Sequence, residues 1–374
     1  MFLNRFSVTG IRNLHPVTLS NLSQVNVFYG LNGSGKTSLL EAIFLLGLGR
    51  SFRTGRMDTP IAYHQSEYIV FGELSREEDL DDTKAKVTLG LSRKRTGELS
   101  IRINGQNVQT ASALAETMPL QLINPDSFRF LEGGPKARRQ FLDWGVFHSE
   151  PRFFQAWKRM QRALHQRNSW LRHATLDRSQ QEVWNHEFSL ASLEVDTYRK
   201  NYLEVFRPVF EQVLAHLIDL KDLQLSYYQG WDKDRSLQTV LESSIQRDRM
   251  AGYTQAGPQR ADLRIRMSGV YDAVDIISRG QQKLIISALR IAQGYLLRAK
   301  QDEAAANKRC IYLIDDLPSE LDSYHQKAIC QLLEQLKCQV FITCIDPTSL
   351  KNCWMDTASL SKFHVKQGYI SQQP

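Results

Sequence analysis

The chain has 374 residues, 42% of them hydrophobic and 10% aromatic, with 47 Lys and Arg against 40 Asp and Glu, a net charge of +7. This is the composition of a folded soluble protein too long for most single compact domains, so two domains or one domain with a large insertion is expected; mild basicity suits a polyanion partner without establishing one. Five cysteines without a C-x-x-C pair suggest neither a disulfide framework nor a zinc site, and point to buried thiols in a reducing cytoplasm; the start MFLNRFSVTGIRN lacks a signal-peptide core, and no apolar run of roughly 18 residues is present to span a membrane.

The first 140 residues read as sheet-rich. FLNRFSVTGI and HPVTLS are short strand candidates, and Val25–Tyr29 is a third. Glu67 to Leu74, Ala85 to Arg93 and Leu99 to Gly105 have β-like alternation or β-rich composition, and Asn104-Gly105 signals a tight turn with Val108 starting the return. An antiparallel meander is expected, with the acidic stretch Ser75 to Lys84 as a solvated loop between two strands. From Phe141 to Met250 the texture becomes helical: no glycine occurs between Gly145 and Gly230, and Phe153, Trp157, Met160, Leu164 and Leu171 make an apolar stripe without sustained heptads. After Gly257, αβ texture resumes. A helix is expected over Gln281 to Ala299, DEAAANK (Asp302 to Lys308) as a helix end or loop, and CIYLIDDLP and QVFITCID as buried parallel strands.

Between Val25–Tyr29 and the apolar helix positions Leu39, Leu40, Ile43 and Leu46 lies Gly30-Leu31-Asn32-Gly33-Ser34-Gly35-Lys36-Thr37. Strand, glycine-rich loop and helix in this order fit G-x-x-x-x-G-K-[ST]. Glycines let successive backbone N–H groups converge on one anion, and the helix N-terminus adds donors and a positive dipole end. Lys36 can reach β- and γ-phosphates and the Thr37 hydroxyl can ligate Mg²⁺. The alternative is a glycine-rich αβ turn that binds nothing. In IYLIDDLPSELD an apolar strand ends in two acids: Asp315 suits the metal and Asp316 can polarise an attacking water, unless the two merely cap a loop. In SRGQQKLIISALRIA a helix opens with the Ser278 hydroxyl and the N–H groups of Gly280 and Gln281 presented to an anion, unless Ser278 is an ordinary N-cap.

The order of these motifs is that of an ABC-type ATPase. The whole chain resembles the RecF family in the SMC-like branch, through GLNGSGKTS, GGPKARRQFLD (Gly133 to Asp143), GPQRADL (Gly257 to Leu263), SRGQQK and DDLPSELD. The resemblance implies an α/β fold: an ABC-type P-loop ATPase head with an antiparallel β meander (1–140 and 251–374) and a helical arm insertion (141–250). It implies that Gly30 to Thr37, with Ser38, hold ATP, that Arg12 and Asn13 approach the nucleotide, and that Asp315 helps hold Mg²⁺. Asp316 would stand where the water-activating acid stands. Ser278, Gly280 and Gln281 would meet the γ-phosphate on a partner subunit, and Ser319 to Asp322 would lie at the dimer interface. ATP would join two chains and hydrolysis release them.

By the same resemblance the chain acts in gap repair, replication restart and the SOS response, binding duplex DNA near single-strand gaps and working with RecO and RecR in RecA loading. Two departures stand out: Asp316 replaces the usual Glu, and Thr343-Cys344 stand where a switch histidine is usual, which together suggest slow turnover. The Q-loop glutamine has only Gln121 as a candidate. For DNA, the acid-free stretch Arg152 to Arg172 offers Arg152, Lys158, Arg159, Arg162, Arg167 and Arg172, with Lys136, Arg138 and Arg139 upstream. A solvated helix face is the alternative, and Arg138 and Arg139 have a second one, bracing the head. Competing functional readings are a membrane transporter's nucleotide-binding subunit, a purely structural clamp, and the ATPase partner of a defence nuclease.

Overall fold

The computed structural model describes residues 2–56, 58–75, 86–172, 178–299, 309–355 and 360–373. The acidic segment 76–84 and the segment 302–308 lie outside the described residues. The chain forms two compact units, Met1–Ser127 with Lys283–Pro374, and Phe128–Gln282. The boundaries expected at 140 and 251 both fall inside the second of these.

Among its described residues the first unit holds two sheets. One is antiparallel throughout, in the order Val17–Ser20, Phe2–Thr9, Glu67–Ser75, Val87–Lys94, Leu99–Ile103, Gln106–Asn107. Its last turn is set by Asn104 and Gly105 at φ 51° and 77°, the left-handed pair that matches strand twist in a tight hairpin. The other sheet runs Tyr369–Gln373, Leu360–Lys366, Val25–Tyr29, Gln339–Cys344, Ile311–Ile314, Leu120–Ile123, parallel except for the first pair. IYLI and QVFITC are buried along their whole length, as parallel strands covered on both faces must be.

The helix Lys36–Leu48 lies between the two sheets. Leu39, Leu40, Ile43 and Leu46 are fully buried, but so are Glu41 and Ala42, so the helix has no solvent face for most of its length. A Cβ on Gly72 of the antiparallel sheet would come within 2.6 Å of Leu46, and one on Gly47 within 2.4 Å of Leu120 of the parallel sheet. A side chain at either position would require the facing leucine to shift.

The second unit contains the helices Pro135–Ser149, Phe153–Leu171 and Arg178–Leu217, and the antiparallel sheet Tyr271–Asp272, Asp262–Met267, Leu223–Tyr228. The last strand corrects the all-helical expectation for 141–250: Leu223 and Leu225 alternate with Gln224 and Ser226 at period two, in register with Met267 and Ile265. The stripe on Phe153–Leu171 is also shifted. Its buried line is Phe153, Ala156, Met160, Ala163, Arg167 and Trp170, while Trp157 and Leu164 sit half-buried at its margins.

Arg167, grouped by sequence with the DNA-facing cations, is therefore a core residue. It pairs with Asp248 at 2.8 Å, both side chains wholly buried, and donates to Asn185 and Thr254. Removing one member of such a pair strands an uncompensated buried charge. Asp248→Ala is expected to destabilise the second unit by about 3–5 kcal/mol in chemical denaturation, with a much smaller loss for the double replacement Arg167→Met/Asp248→Leu.

Candidate functional site: a phosphate-loop cleft at the end of the parallel sheet

Val25–Tyr29, Gln339–Cys344 and Ile311–Ile314 run parallel and in register, so their carboxyl ends deliver Gly30, Thr343 and Asp315 to one edge of the sheet. That edge is where open α/β sheets bind ligands. A cleft of about 650 Å³ opens there, lined by the loop, Arg12, Asn13, Arg53, Asp315, Asp316 and Thr343 among others.

The loop geometry is that of an anion cradle. Gly35, at φ 116°, caps the helix Lys36–Leu48, and Gly30 has φ 152° with its α-carbon pressed against the Val365 carbonyl, where a Cβ would lie at 2.2 Å. Asn13 ties the loop down: its Nδ2 donates to the Gly33 carbonyl at 3.1 Å and its Oδ1 accepts from Ser38 Oγ at 3.0 Å. Gly368 N donates to the Ser34 carbonyl at 2.8 Å. The Ser34 hydroxyl is buried with no protein partner among the described residues, an orphan suited to a phosphate oxygen. Leu31 and Asn32 stand exposed at the loop crest. Lys36 Nζ donates to the carbonyls of Gly30 at 2.6 Å and Leu31 at 3.0 Å, so its ammonium lies along the cradle. Burial lowers its pKa, countered by Asp316, Cys344 and Asp315.

Asp315 accepts from Thr37 Oγ1 at 3.1 Å and Thr343 Oγ1 at 2.7 Å. Burial raises its carboxyl pKa, and the two hydroxyls oppose that shift. A carboxylate and a hydroxyl converging this way are the hard oxygen donors that Mg²⁺ takes, so the residues fit the ion. Asp316 is held by its own N–H, which donates to Thr343 Oγ1 at 2.8 Å, in a left-handed conformation of φ 56°. Thr343, first noted as the stand-in for a switch histidine, thus fixes both acids.

Arg12 lines the cleft but pairs outward from it, donating through Nε and Nη2 to both oxygens of Glu41 at 2.9 Å. Ser51 also donates to Glu41, and Arg53 lies 3.6 Å from it. Glu41 and Arg53 escaped the sequence reading. A lone glutamate inside an apolar helix was the available signal. Gln121 is corrected as the Q-loop candidate: it is buried in Leu120–Ile123, with its amide donating to Gln293 and accepting from Arg290.

Ser278, Gly280 and Gln281 belong to the second unit. Ser278 Oγ accepts from Gln281 N at 3.3 Å and Gln281 Oε1 accepts from Ser278 N at 2.8 Å, a reciprocal capping box at the start of Arg279–Ala299. A Cβ on Gly280 would meet nothing nearer than Ser278 Oγ at 3.9 Å. Among the described residues nothing demands glycine there. In the first unit, Lys283 pairs with Glu320 of S-E-L-D at 2.7 Å.

The family model for the RecF/RecN/SMC N terminal domain matches residues 2–371. The chain is 59% identical over 373 residues to the DNA replication and repair protein RecF of Pseudomonas aeruginosa strain LESB58, covering 100% of this chain and 98% of that protein. The chain belongs to the RecF family. RecF of Pseudomonas putida strain GB-1 is 58% identical over 372 residues, with the same coverage. A solved structure described as the recombination mediator protein RecF-ATP in the RecFOR pathway superposes with TM-score 0.84 at 24% identity, covering 100% of this chain and 98% of that one. An SMC head bound to the C-winged helix domain of ScpA gives 0.57 at 14% identity, covering 100% and 97%. The fold is that of an SMC-like ABC ATPase head.

Two RecF-like segments lock together within the second unit. Arg138 clamps Asp262 in bidentate fashion at 2.8 and 3.0 Å, and Arg139 donates to the Ala261 carbonyl at 2.7 Å. Arg199 joins Asp143 to the Pro258 carbonyl. G-G-P-K-A-R-R and G-P-Q-R-A-D-L thus bind each other, and Arg138 and Arg139 act as braces.

Because the Asp315 carboxyl is harder to ionise in the folded chain, folding loses stability as pH rises through the interval between the ordinary Asp value of 3.8 and its raised value. Asp315→Asn removes that loss. The variant is expected to melt no lower than the parent at neutral pH, with the difference narrowing toward pH 4, while ATP turnover falls at least 100-fold, on the order of the loss when an electrostatic catalytic group is removed. Paired thermal melts and turnover assays across pH check both.

Proposed function

We propose that this chain is an ATP-dependent DNA-binding protein of recombinational repair and replication restart. Two copies close around ATP on duplex DNA near single-strand gaps, and slow hydrolysis releases them, aiding RecA loading and the SOS response. The observation that carries the reading is the convergence of Lys36, Thr37, Asp315 and Thr343 on one sheet edge beneath the glycine loop. The loop N–H groups and Lys36 bind the phosphates, and Thr37 with Asp315 would hold Mg²⁺, which when bound neutralises developing phosphate charge. Asp316 orients the attacking water. Arg12, Asn13 and Ser38 shape the nucleoside side of the loop.

Ser278, Gly280 and Gln281 act on the nucleotide of a second copy. Gly280 supports this, because among the described residues its lack of a side chain serves no packing need, and it leaves room for a close partner. Ser319 to Asp322 then lie at the dimer interface. By role the head is 1–140 with 251–374 and the arm 141–250, a division that differs from the compact units. The chain works in the cytoplasm with RecO and RecR as partners. Among the described residues no helix is long and apolar enough to cross a membrane.

DNA lies along the helix Phe153–Leu171. Arg152, Lys158, Arg159 and Arg162 are all exposed on its outer side, and no acid occurs on the helix, although Arg159 pairs with Glu194 from the long helix and Lys158 sits 4.2 Å from the Phe154 ring centroid. Lys136 is exposed as well, whereas Arg138 and Arg139 are spent as braces.

In sedimentation with Mg²⁺-ATP the wild type is expected to dimerise and to carry gapped DNA, and Lys36→Met and Ser278→Arg to remain monomeric. A wild type that stays monomeric and ignores DNA would sink the reading. In DNA titrations against salt, Lys158→Glu/Arg162→Glu is expected to flatten the log–log slope by roughly 1.8, two phosphate contacts at about 0.9 each.

A further inference from the structure

The basic helix ends at Leu171 against the turn that follows the helix Ile245–Ala251, and the join is built from buried polar groups. Arg167 donates to Asp248 and Thr254, Asn168 Oδ1 accepts from the N–H and hydroxyl of Thr254 at 2.8 and 2.7 Å, and Gln255 N donates to Asp248 at 3.1 Å. The backbone on both sides of Tyr253 is therefore pinned to a charge pair with no access to water. What this frame presents is unusual. Tyr253 is 44% exposed with the Arg260 guanidinium 5.2 Å from its ring centroid, and Met250 beside it is 90% exposed. Arg172, Arg247, Arg249 and Arg260 are all exposed, and a Cβ on Gly252 would sit 3.8 Å from Arg172. From Ile245 to Ala261 the one carboxylate is Asp248, and it is buried.

We propose that this end of the second unit binds single-stranded DNA, with an unpaired base stacking on the Tyr253–Arg260 platform while Arg172 and Arg247 meet the flanking phosphates. The inference rests on the DNA-binding reading above and deepens it. A single exposed tyrosine is ordinary on a protein surface. Here it is combined with a cation over its ring, an exposed thioether, further arginines and no exposed acid from Ile245 to Ala261, which is the composition of a sequence-tolerant stacking site. The buried frame gives it a reason to be rigid: a platform fixed before binding loses less entropy when a base lands on it. A backbone-only contact needs the arginines but neither the ring nor its fixed setting.

The test is fluorescence anisotropy of the full chain with Mg²⁺ and a non-hydrolysable ATP analogue, using a labelled oligothymidylate and a duplex of equal length. Tyr253→Ala is expected to weaken single-strand binding at least tenfold, about 1.4 kcal/mol, to leave duplex binding within twofold, and to keep the parent's melting temperature; Tyr253→Phe is expected to bind like the parent. As a check independent of any variant, photocrosslinking of wild type to 5-iodouracil-substituted single strands should place the adduct on Tyr253. Unchanged single-strand affinity in Tyr253→Ala, an equal loss for both DNAs, or adducts confined elsewhere would each overturn the platform. If the wild type binds duplex but the alanine variant loses nothing, this inference alone falls. If the wild type binds neither DNA, the DNA-binding reading falls with it.

Discussion

Glu41 has no exposed surface, because the helix that carries it is packed between two sheets. An ionised carboxylate in that position must be met by partners of its own. Arg12 meets it through Nε and Nη2, Ser51 adds a hydroxyl, and Arg53 lies 3.6 Å from it. These partners come from the turn after the first strand and from the loop after the helix, two segments also joined by backbone hydrogen bonds from Arg12 N to the Pro60 carbonyl and from Ala62 N to the Gly10 carbonyl. Backbone pairing and the shared carboxylate together hold Arg12 and Arg53 at the rim of the phosphate cleft. The placement of cations around the nucleotide site thus follows from a burial problem one layer beneath it. Phosphate affinity and the integrity of the core draw on the same residues.

The second unit solves a similar problem with arginines in place of a carboxylate. Arg138, Arg139 and Arg199 converge on the short stretch Pro258 to Asp262, and Arg167 on Asp248. Each fixes backbone that the small apolar side chains there, such as Ala256 and Ala261, hold only weakly by packing. Bidentate, planar donors suit this, since one guanidinium sets both distance and orientation. The family segments that look most diagnostic in sequence are accordingly the two halves of one internal joint.

Much of the phosphate site was legible because it is local. Gly30 to Ser38 and the apolar-Asp-Asp run carry their geometry within a few residues, and strand-loop-helix order fixes where the loop points. The antiparallel meander was legible from alternation and from Asn104-Gly105. What escaped was non-local. Nothing near Glu41 in sequence announces Arg12 and Arg53 as its partners, and Arg167 looks like any other cation on a basic helix until Asp248 arrives from 81 positions away. The strand Leu223–Tyr228 was lost to the helical texture around it, although its alternation was there to be seen. The apolar stripe shifted for a related reason: Ala156 and Ala163 face the core because the neighbouring long helix packs close, and small residues carry little hydrophobic signal of their own.

The left-handed backbone at Asp316 bears on why an aspartate occupies a place where a glutamate is usual. That conformation is tolerated by Asp and Asn far better than by longer acids, whose side chains gain no local hydrogen bond to offset the crowding. The residue type here is a choice made by the main chain. On the role proposed for Asp316, reach toward a water is exchanged for ease of bending, and the bend itself is fixed by the Asp316 N–H donating to Thr343 Oγ1. Lengthening the acid would therefore disturb the bend before it improved the reach. The slowness of such a site would be a property of its architecture, which no single added methylene can undo.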